Sequence, residues 1–503
     1  MTEHVHPERR KKLDELRSRG IVPYAHKFES PRPIAEVIEE FERENPEGTA
    51  KEDEKPLSAR IAGRIMARRD FGKAMFLDLK DRSGRMQAYL RKNDIGDEAF
   101  DAMSAVDLGD FIGVEGQVGR TQKGETTIFA TGYTFLTKSL RPLPEKWHGL
   151  RDVETRYRKR YVDLFTNDHV ADIFRTRAAV IQSLRRFLDD RGFIEVETPM
   201  MHPIAGGAAA RPFVTHHNAL DMRLYLRVAP ELYLKRLLVG GLERVYELNR
   251  NFRNEGISPR HNPEYTMLEA YCAYFDYQDL MDLIEEMICA AAEPLLGPEL
   301  KCPAIEGDER QVSLARPWRR AKYADLFEEA TGVGLRDTEG VLRVAAEMKI
   351  DVEGRDSIAV AGEIFEEKVE PGLFDPVFVY DYPAEISPLS KCRVDDPSTA
   401  ERFELFARNM ELVNAFSELN DPIDQEERFI KQVESKDEEA PAEVDFDYVE
   451  ALEHGMPPAG GLGIGIDRLT MLFTGTHNIR EVILFPLLRH QSDGASAEPD
   501  TGD

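Results

Sequence analysis

Two periodicities divide this chain. Between residues 57 and 140 apolar and polar side chains alternate in short runs, MFLDLK, RMQAYL, FIGVEGQVGR and TTIFATGYTFL, with turns at 81–84 and at Lys123-Gly124. Period-two alternation marks strands with one buried face. If Met75, Leu77, Leu79, Met86, Ala88 and Leu90 face inward, then Phe76, Gln87 and Tyr89 face outward. Over 171–190 the spacing becomes helical, with Val180, Leu184, Phe187 and Leu188 along one face. Gly192 stops that helix, and FIEVETPM follows as a strand ended by Pro199. Strand character returns over 245–248, breaks at Asn254, Gly256, Ser258 and Pro259, and resumes near Tyr265, which predicts a hairpin with a long connecting loop. In GGLGIGIDRLTMLFTG, Gly461, Gly463 and Gly465 recur at every second residue, so they line one face of a strand before a helix that begins near Asp467.

The same reading sets the domain plan of an α+β protein. Five short strands with a helix over 94–106 after the third follow the order of an OB-fold β-barrel, whose second and third strands commonly present a platform to nucleic-acid bases. Barrel residues 57–140 are preceded by an extension, 1–56. It holds a helix over 7–20 capped by Gly20, with Leu13 and Leu16 on one face and an otherwise solvated basic surface, and then a Pro- and Glu-rich stretch, 29–56, expected to be a loose tether. A basic connector over 141–170 leads to a large domain over 171–490, with an insertion of mixed helical segments at about 290–370. The run QVESKDEEAPAEVDFD reads as an acidic loop and 491–503 as a disordered acidic tail.

Composition narrows the class. At 503 residues the chain is too long for one core, and 42% hydrophobic with 32% charged residues describes a soluble globular protein. No apolar run reaches the roughly 18 residues a membrane helix needs. The N-terminal MTEHVHPERRKK lacks the apolar centre of a secretory signal, and Cys272, Cys289, Cys302 and Cys392 are too scattered for a zinc site or a disulfide framework, so a reducing cytoplasm is the expected home. The net charge of −27 argues against a nucleic-acid partner until it is divided: residues 57–160 hold 20 Lys or Arg against 14 Asp or Glu, a balance of +6 that leaves the remainder at −33.

The chemistry concentrates in the predicted hairpin loop. Arg250, Arg253, Arg260 and His261 stand there beside Glu255. Guanidinium groups grip phosphate oxygens in a planar fork, so a nucleotide triphosphate suits them better than a lone carboxylate, with a solvated salt-bridged loop as the even alternative. The glycine strand is not the dinucleotide fingerprint, because Ile466 occupies the last glycine position, and no G-x-x-x-x-G-K-[ST] occurs in the chain. Glu404 and Glu411 are seven apart, which puts them on one face of a helix or on opposite faces of a single strand.

Phe-Arg-Asn-Glu at 252–255 and Arg-His-Asn-Pro-Glu-Tyr-Thr at 260–266 resemble the second signature motif of class II aminoacyl-tRNA synthetases. From about residue 8 to 490 the chain resembles the lysyl branch of that family. The helix, strand and proline over 171–199 look like the first motif, which in the family builds a two-fold dimer interface, with a buried helix of a monomer as the alternative. The glycine strand with Arg468 looks like the third motif. The resemblance implies a class II catalytic domain with an antiparallel sheet flanked by helices, and an activity: lysine and ATP give lysyl-adenylate and pyrophosphate, and the lysyl group passes to the 3′ end of tRNA(Lys).

It also implies roles by position. Arg253 and Arg468 are the catalytic cations. ATP is bound by Arg253, Glu255, Arg260, His261, Tyr265 (where many relatives carry Phe), Glu404 and Arg468. Glu404 and Glu411, on neighbouring antiparallel strands joined by a turn at 407–409, hold Mg²⁺, two or three ions with ATP. Gly207, Glu231 and Glu269 receive the substrate α-ammonium, and Glu418 and Tyr271 the ε-ammonium. Asn414 and Arg253 sit by its carboxylate, and Phe416 walls the pocket. Phe76, Gln87 and Glu125 read the anticodon. An aspartate pocket would need a cation where Glu418 stands. The rivals are an aspartyl- or asparaginyl-type enzyme, a ligase that lysylates protein, and an RNA-binding protein with an inactive synthetase body. Cys392 in PLSKCRVDDP departs from the family and receives no explanation.

Overall fold

The structure is a computed structural model that describes residues 6–144, 150, 152–208, 210–435 and 443–489. The expected tail at 491–503, residues 145–149 and 151 of the connector, and residues 436–442 of the expected acidic loop lie outside the described residues. The chain divides into two compact units, Met1–Gly149 and Leu150–Asp503.

Unit one is built on a closed barrel of β1 (Leu57–Asp70), β2 (Ala74–Lys80), β3 (Arg85–Arg91), β4 (Phe111–Arg120) and β5 (Thr126–Thr137), in the order β1-β2-β3-β5-β4. The alternation is borne out: Met75, Leu77, Leu79, Met86, Ala88 and Leu90 are all buried in its core. The helix after β3 is split by Gly96, whose φ of 88° breaks it into Lys92–Ile95 and Asp97–Ala102.

The N-terminal extension differs in part from expectation. Helix Pro7–Ser18 buries Leu13 and Leu16 and exposes Arg10, Lys11 and Arg17 as expected, but its Arg9 is buried and donates to the carbonyls of Ser139 and Leu108, both at 2.8 Å. The stretch expected to be a loose tether contains helix Ile34–Glu44, whose Ile34, Val37 and Phe41 are completely buried and join the barrel core. Its apolar stripe was there to be read, but Pro and Glu in the flanks masked it.

Unit two carries an eight-stranded sheet made of β6 (Ile194–Glu195), β10 (Arg244–Phe252), β11 (Glu264–Ala273), β12 (Arg319–Lys322), β13 (Val377–Pro383), β14 (Thr399–Ala407), β15 (Met410–Ser417) and β16 (Ala459–Gly465). Its order is β12-β13-β14-β15-β16-β11-β10-β6. The six central strands are antiparallel as expected, but β6 runs parallel to β10 and β12 parallel to β13, so the sheet is mixed at both edges. FIEVETPM contributes only two strand residues. A smaller sheet, β7 (Met201–His202), β8 (Val214–His217) and β9 (Met222–Leu226), has no counterpart in the sequence reading.

Helix Asp168–Asp189 buries Val180, Leu184, Phe187 and Leu188 against the main core, as its spacing predicts. Helix Tyr277–Leu296, opened by a reciprocal capping box at Asp276 and Asp279, covers the same core. The insertion is more integrated than expected: β12 enters the main sheet, and helices Tyr323–Thr331, Thr338–Met348 and Ser357–Lys368 form a satellite core with Val377, Val379 and Phe406 of that sheet. In the connector, Arg160 is fully buried, paired with Asp163 at 2.7 Å and donating to the carbonyls of Arg480 and Leu484. Residues 432–435 of the expected acidic loop complete helix Pro422–Ser435.

Candidate active site

The glycine strand organises the site. β16 lies between β11 and β15, and directly opposed residues on paired strands present their side chains on one face. In register, Glu404 opposes Asn414, Asn414 opposes Gly463, Gly463 opposes Glu269, and Glu269 opposes Glu247. One step along, Arg402 opposes Phe416, Phe416 opposes Gly461, and Gly461 opposes Tyr271. Two rows of chemistry thus cross the sheet with glycine at the middle of each. The missing side chains are required: a Cβ on Gly461 would lie 1.9 Å from Glu418 Oε1, and one on Gly463 would lie 2.7 Å from Met267 Cε.

At one end a cavity of about 100 Å³ is lined by Arg253, Glu255, Arg260, His261, Tyr265 and Arg468. The guanidinium of Arg253 lies 5.4 Å from the centre of the Tyr265 ring, and Arg253 Nε and the Tyr265 hydroxyl are buried without a hydrogen-bond partner among the described residues. Buried donors left open in this way suit an incoming ligand. Arg468, on helix Ile466–Thr474, donates to Glu411 Oε2 at 3.0 Å and to the Glu411 carbonyl at 2.8 Å. Its neighbour Asp467 fixes that helix to the hairpin, accepting from the Thr266 amide at 2.7 Å and from Arg177 at 2.6 Å.

Two of the four expected loop cations behave otherwise. Arg250 belongs to β10 rather than the loop and pairs with Glu264 at 3.7 Å, away from the cavity. His261 is neutral: partial desolvation and the charges of Arg468 and Arg253 push it down to about 4. Arg468 Nη2 donates to its Nε2 at 3.0 Å, so the ring proton is on Nδ1, which faces Ser258 Oγ at 2.9 Å.

A second cavity, about 470 Å³, is lined by Gly207, Glu231, Glu404, Asn414 and Phe416, and also by Arg253 and Glu411, which line the first as well. Those two residues are the join between the cavities. The Glu404 carboxylate accepts from Arg402 at 2.6 Å and from the Tyr382 hydroxyl at 2.9 Å, yet burial and the nearby Glu411 push it up to about 7. Burial works against Glu411 too, but Arg468, Arg253 and Arg402 outweigh it and hold that carboxyl below its ordinary range. The turn expected between them is Arg408-Asn409, both at positive φ, which suits a tight two-residue hairpin.

Glu269, Tyr271 and Glu418 lie deeper and do not line either cavity. All three are buried. Burial, with Glu231 nearby, lifts Glu269 up to about 8, while its Oε2 accepts from the Tyr271 hydroxyl at 3.2 Å. Burial also raises Glu231 and Glu418. Among these acids stands Lys235, completely buried, which the sequence reading missed. Its ammonium donates to Glu231 Oε1 at 2.5 Å and contacts Glu418 Oε2. Burial opposes that charge, but Glu231 and Glu418 keep it protonated. A Glu and Lys four apart on a helix usually mark an exposed surface pair, so the spacing pointed the wrong way. Arg402 was missed as well, although it stands two residues before Glu404 and therefore on the same strand face. Glu370, lifted to about 8 by burial and by Glu404, is a third such omission.

A family model for the tRNA synthetases class II (D, K and N) matches residues 152–489. The chain belongs to the class II tRNA synthetases. A model for the OB-fold nucleic acid binding domain matches residues 59–136 of the same chain. A lysine–tRNA ligase of Carboxydothermus hydrogenoformans is 54% identical over 487 residues, 96% of this chain and 97% of the relative. A lysine–tRNA ligase of Pelotomaculum thermopropionicum is 53% identical, covering 96% and 94%, and one of Bacillus cereus is 50% identical, covering 96% and 97%.

The barrel of this class II synthetase brings its expected base-reading residues into one region with one change. Gln87 turns outward as expected but is buried, because Glu125 and Thr127 cover it: its Nε2 donates to Glu125 Oε2 at 3.1 Å and its Oε1 accepts from Thr127 at 3.2 Å. Phe76 is half-buried and stacks on Tyr89 with ring centres 4.4 Å apart, and the exposed Phe71 meets it edge-on at 5.8 Å. The outward Phe76 and Tyr89 thus form one aromatic surface, which Phe71 extends. Cys392 is half-buried, and its Sγ accepts from Arg428 at 3.4 Å.

Proposed function

We propose that the chain is a lysine–tRNA ligase. The observation that carries the lysine reading is Glu418, buried on the site face with Glu231 and Glu269. Burial pushes all three carboxyls up, and Lys235 touches only Glu231 and Glu418, so the cluster favours further cations that would return it to its charged form. A substrate with two ammonium groups supplies them, whereas aspartate would add another anion.

In the first step the substrate carboxylate attacks the α-phosphorus of ATP and pyrophosphate leaves. That carboxylate is ionised at neutral pH, so no general base is required. The barrier is repulsion between anions, which cations fixed in advance lower. Arg253, shared by both cavities, is the group to bridge carboxylate and α-phosphate. Arg260, Arg468 and His261 hold the outer phosphates, Glu255 lies at the adenine end, and Tyr265 offers its ring face to the base. Glu231 and Glu269, with Gly207 leaving room beside them, take the α-ammonium; Glu418 and Tyr271 take the ε-ammonium. Asn414, held by Arg402 Nε at 3.1 Å, orients the carboxylate end, and Phe416 packs on the aliphatic stem. In the second step the 3′-terminal hydroxyl of tRNA(Lys) attacks the lysyl carbonyl and AMP leaves.

Glu404 and Glu411 would hold magnesium. The upward push that Glu411 exerts on Glu404 is the like-charge strain that a divalent cation relieves, and two carboxylates completed by phosphate oxygens form a habitual ligand set for this ion. When bound with ATP, magnesium neutralises phosphate charge. Among the described residues no helix is long and apolar enough to cross a membrane, consistent with work in the cytoplasm on tRNA. Ile194, in the segment that resembles the first motif, and Met200 and Met201 directly after it are 51%, 43% and 51% exposed, which supports a homodimer covering them; Met201→Glu is expected to shift sedimentation toward monomer.

Amino-acid-dependent pyrophosphate exchange, run across all twenty amino acids, tests the reading. Lysine is the expected substrate, and Glu418→Gln is expected to raise its KM by about two orders of magnitude while the KM for ATP stays near wild type. Preference for aspartate or asparagine would replace the substrate, transfer to protein instead of tRNA would replace the acceptor, and absence of exchange would leave only an RNA-binding body.

A further inference from the structure

The acids expected to receive the two ammonium groups are not independently placed. Glu231 is on helix Glu231–Val239 and Glu418 follows β15, yet both touch one ammonium: Lys235 Nζ bonds Oε1 of Glu231 at 2.5 Å and contacts Oε2 of Glu418. Lys235 is completely buried, is anchored one helical turn from Glu231, and lies 5.3 Å from the centre of the Phe416 ring that walls the substrate cavity. Its contacts use one oxygen of each carboxylate. Glu231 still lines the cavity, and Glu418 Oε1 turns to the face of β16 that the glycines keep open.

We propose that Lys235 is a positioning residue: by stapling Glu231 to Glu418 it sets the separation of the acceptors for the substrate's two ammonium groups, and with it the length of diamine the pocket accepts. The inference rests on the reading of those acceptors given above. A bridging cation holds the two oxygens it touches within about 5 Å of each other, because each N–H···O contact spans less than 3 Å. Two carboxylates tied in this way cannot splay to follow a shorter substrate. Ornithine, one methylene shorter than lysine, can then satisfy one acceptor and leaves the other with its contact to Lys235 alone.

The test is pyrophosphate exchange by the full-length chain with L-lysine and with L-ornithine, for wild type, Lys235→Met and Lys235→Arg. Wild type is expected to favour lysine over ornithine by about 10–200-fold in kcat/KM, the range one methylene commands. Lys235→Met is expected to raise the lysine KM by roughly tenfold or more and to bring the lysine-to-ornithine ratio below about ten, with the KM for ATP within about twofold of wild type. A residue that only held the fold would degrade both substrates and ATP together. Binding of a non-hydrolysable ATP analogue, followed by calorimetry, reports whether each variant is folded. Should Lys235→Met fail to fold, Lys235→Arg decides: it keeps the charge but displaces it, so the ratio is expected to fall by about fivefold or more. A ratio and lysine KM within about twofold of wild type in the folded variants overturn the proposal and leave the lysine reading intact. Failure of wild type to activate lysine overturns the reading and this inference with it.

Discussion

At the scale of single residues the site is governed by charges that fix one another before any ligand arrives. His261 shows this most directly. Desolvation, Arg468 and Arg253 hold it at about 4, well under its ordinary 6.5, so the loop presents guanidiniums and a neutral imidazole. A polyphosphate reverses the balance, because anions beside the ring favour its charged form. Between pH 4 and 6.5 nucleotide binding is therefore expected to take up a proton at His261. Calorimetric titration with ATP, without magnesium, in buffers of differing ionisation heat reads that uptake. The His261→Asn variant is expected to take up less by as much as one proton at about pH 5.5. Equal uptake in both would show that the ring does not meet phosphate.

The hairpin β14–β15 carries the same logic at the scale of an element. Its two-residue turn and antiparallel register bring together carboxylates that a single strand would hold on opposite faces. The consequence is a raised Glu404, from an ordinary 4.5 to about 7. The sign follows from proton counting. Between those values the folded chain holds a proton on Glu404 that the unfolded chain has lost, so without metal Glu404 lowers stability as pH rises toward 7. Magnesium must displace the same proton, so its affinity weakens as pH falls below about 7. The magnesium concentration for half-maximal pyrophosphate exchange is expected to rise by up to about tenfold from pH 7 to pH 6, and a flat response would remove Glu404 from the metal site. Part of the site was legible: the glycine period of β16 and the arginines after β10 carried local signals, whereas the spacing of Glu404 and Glu411 alone suits a helix face or opposite faces of one strand, and their pairing was implied by the family resemblance. What stayed hidden depends on burial. Lys235 has the spacing of a surface pair and Arg402 carries no local mark, because no local pattern distinguishes a charge that faces solvent from one that faces another element.

For the whole molecule the organising fact is the division of charge. An overall −27 repels a polyanion, whereas residues 57–160 carry +6, so the electrostatic attraction for tRNA is concentrated in the stretch that forms the barrel and the start of the connector. Adenylate formation draws on a separate set of cations in unit two, of which Arg253 and Arg468 are partly buried and so screened less by salt than an exposed surface is. The two half-reactions are thus expected to respond differently to ionic strength. Between 50 and 200 mM salt the KM for tRNA(Lys) should rise by about tenfold or more, while lysine-dependent pyrophosphate exchange changes by less than about twofold. The aromatic surface supplies the complementary test, because stacking is far less sensitive to salt than phosphate contacts are. Phe76→Ala removes the ring that stacks on Tyr89, and is expected to raise the KM for tRNA by roughly 5–100-fold with the salt slope and the exchange rate unchanged. A variant that altered the slope but not the affinity at low salt would instead place Phe76 outside the base-reading surface.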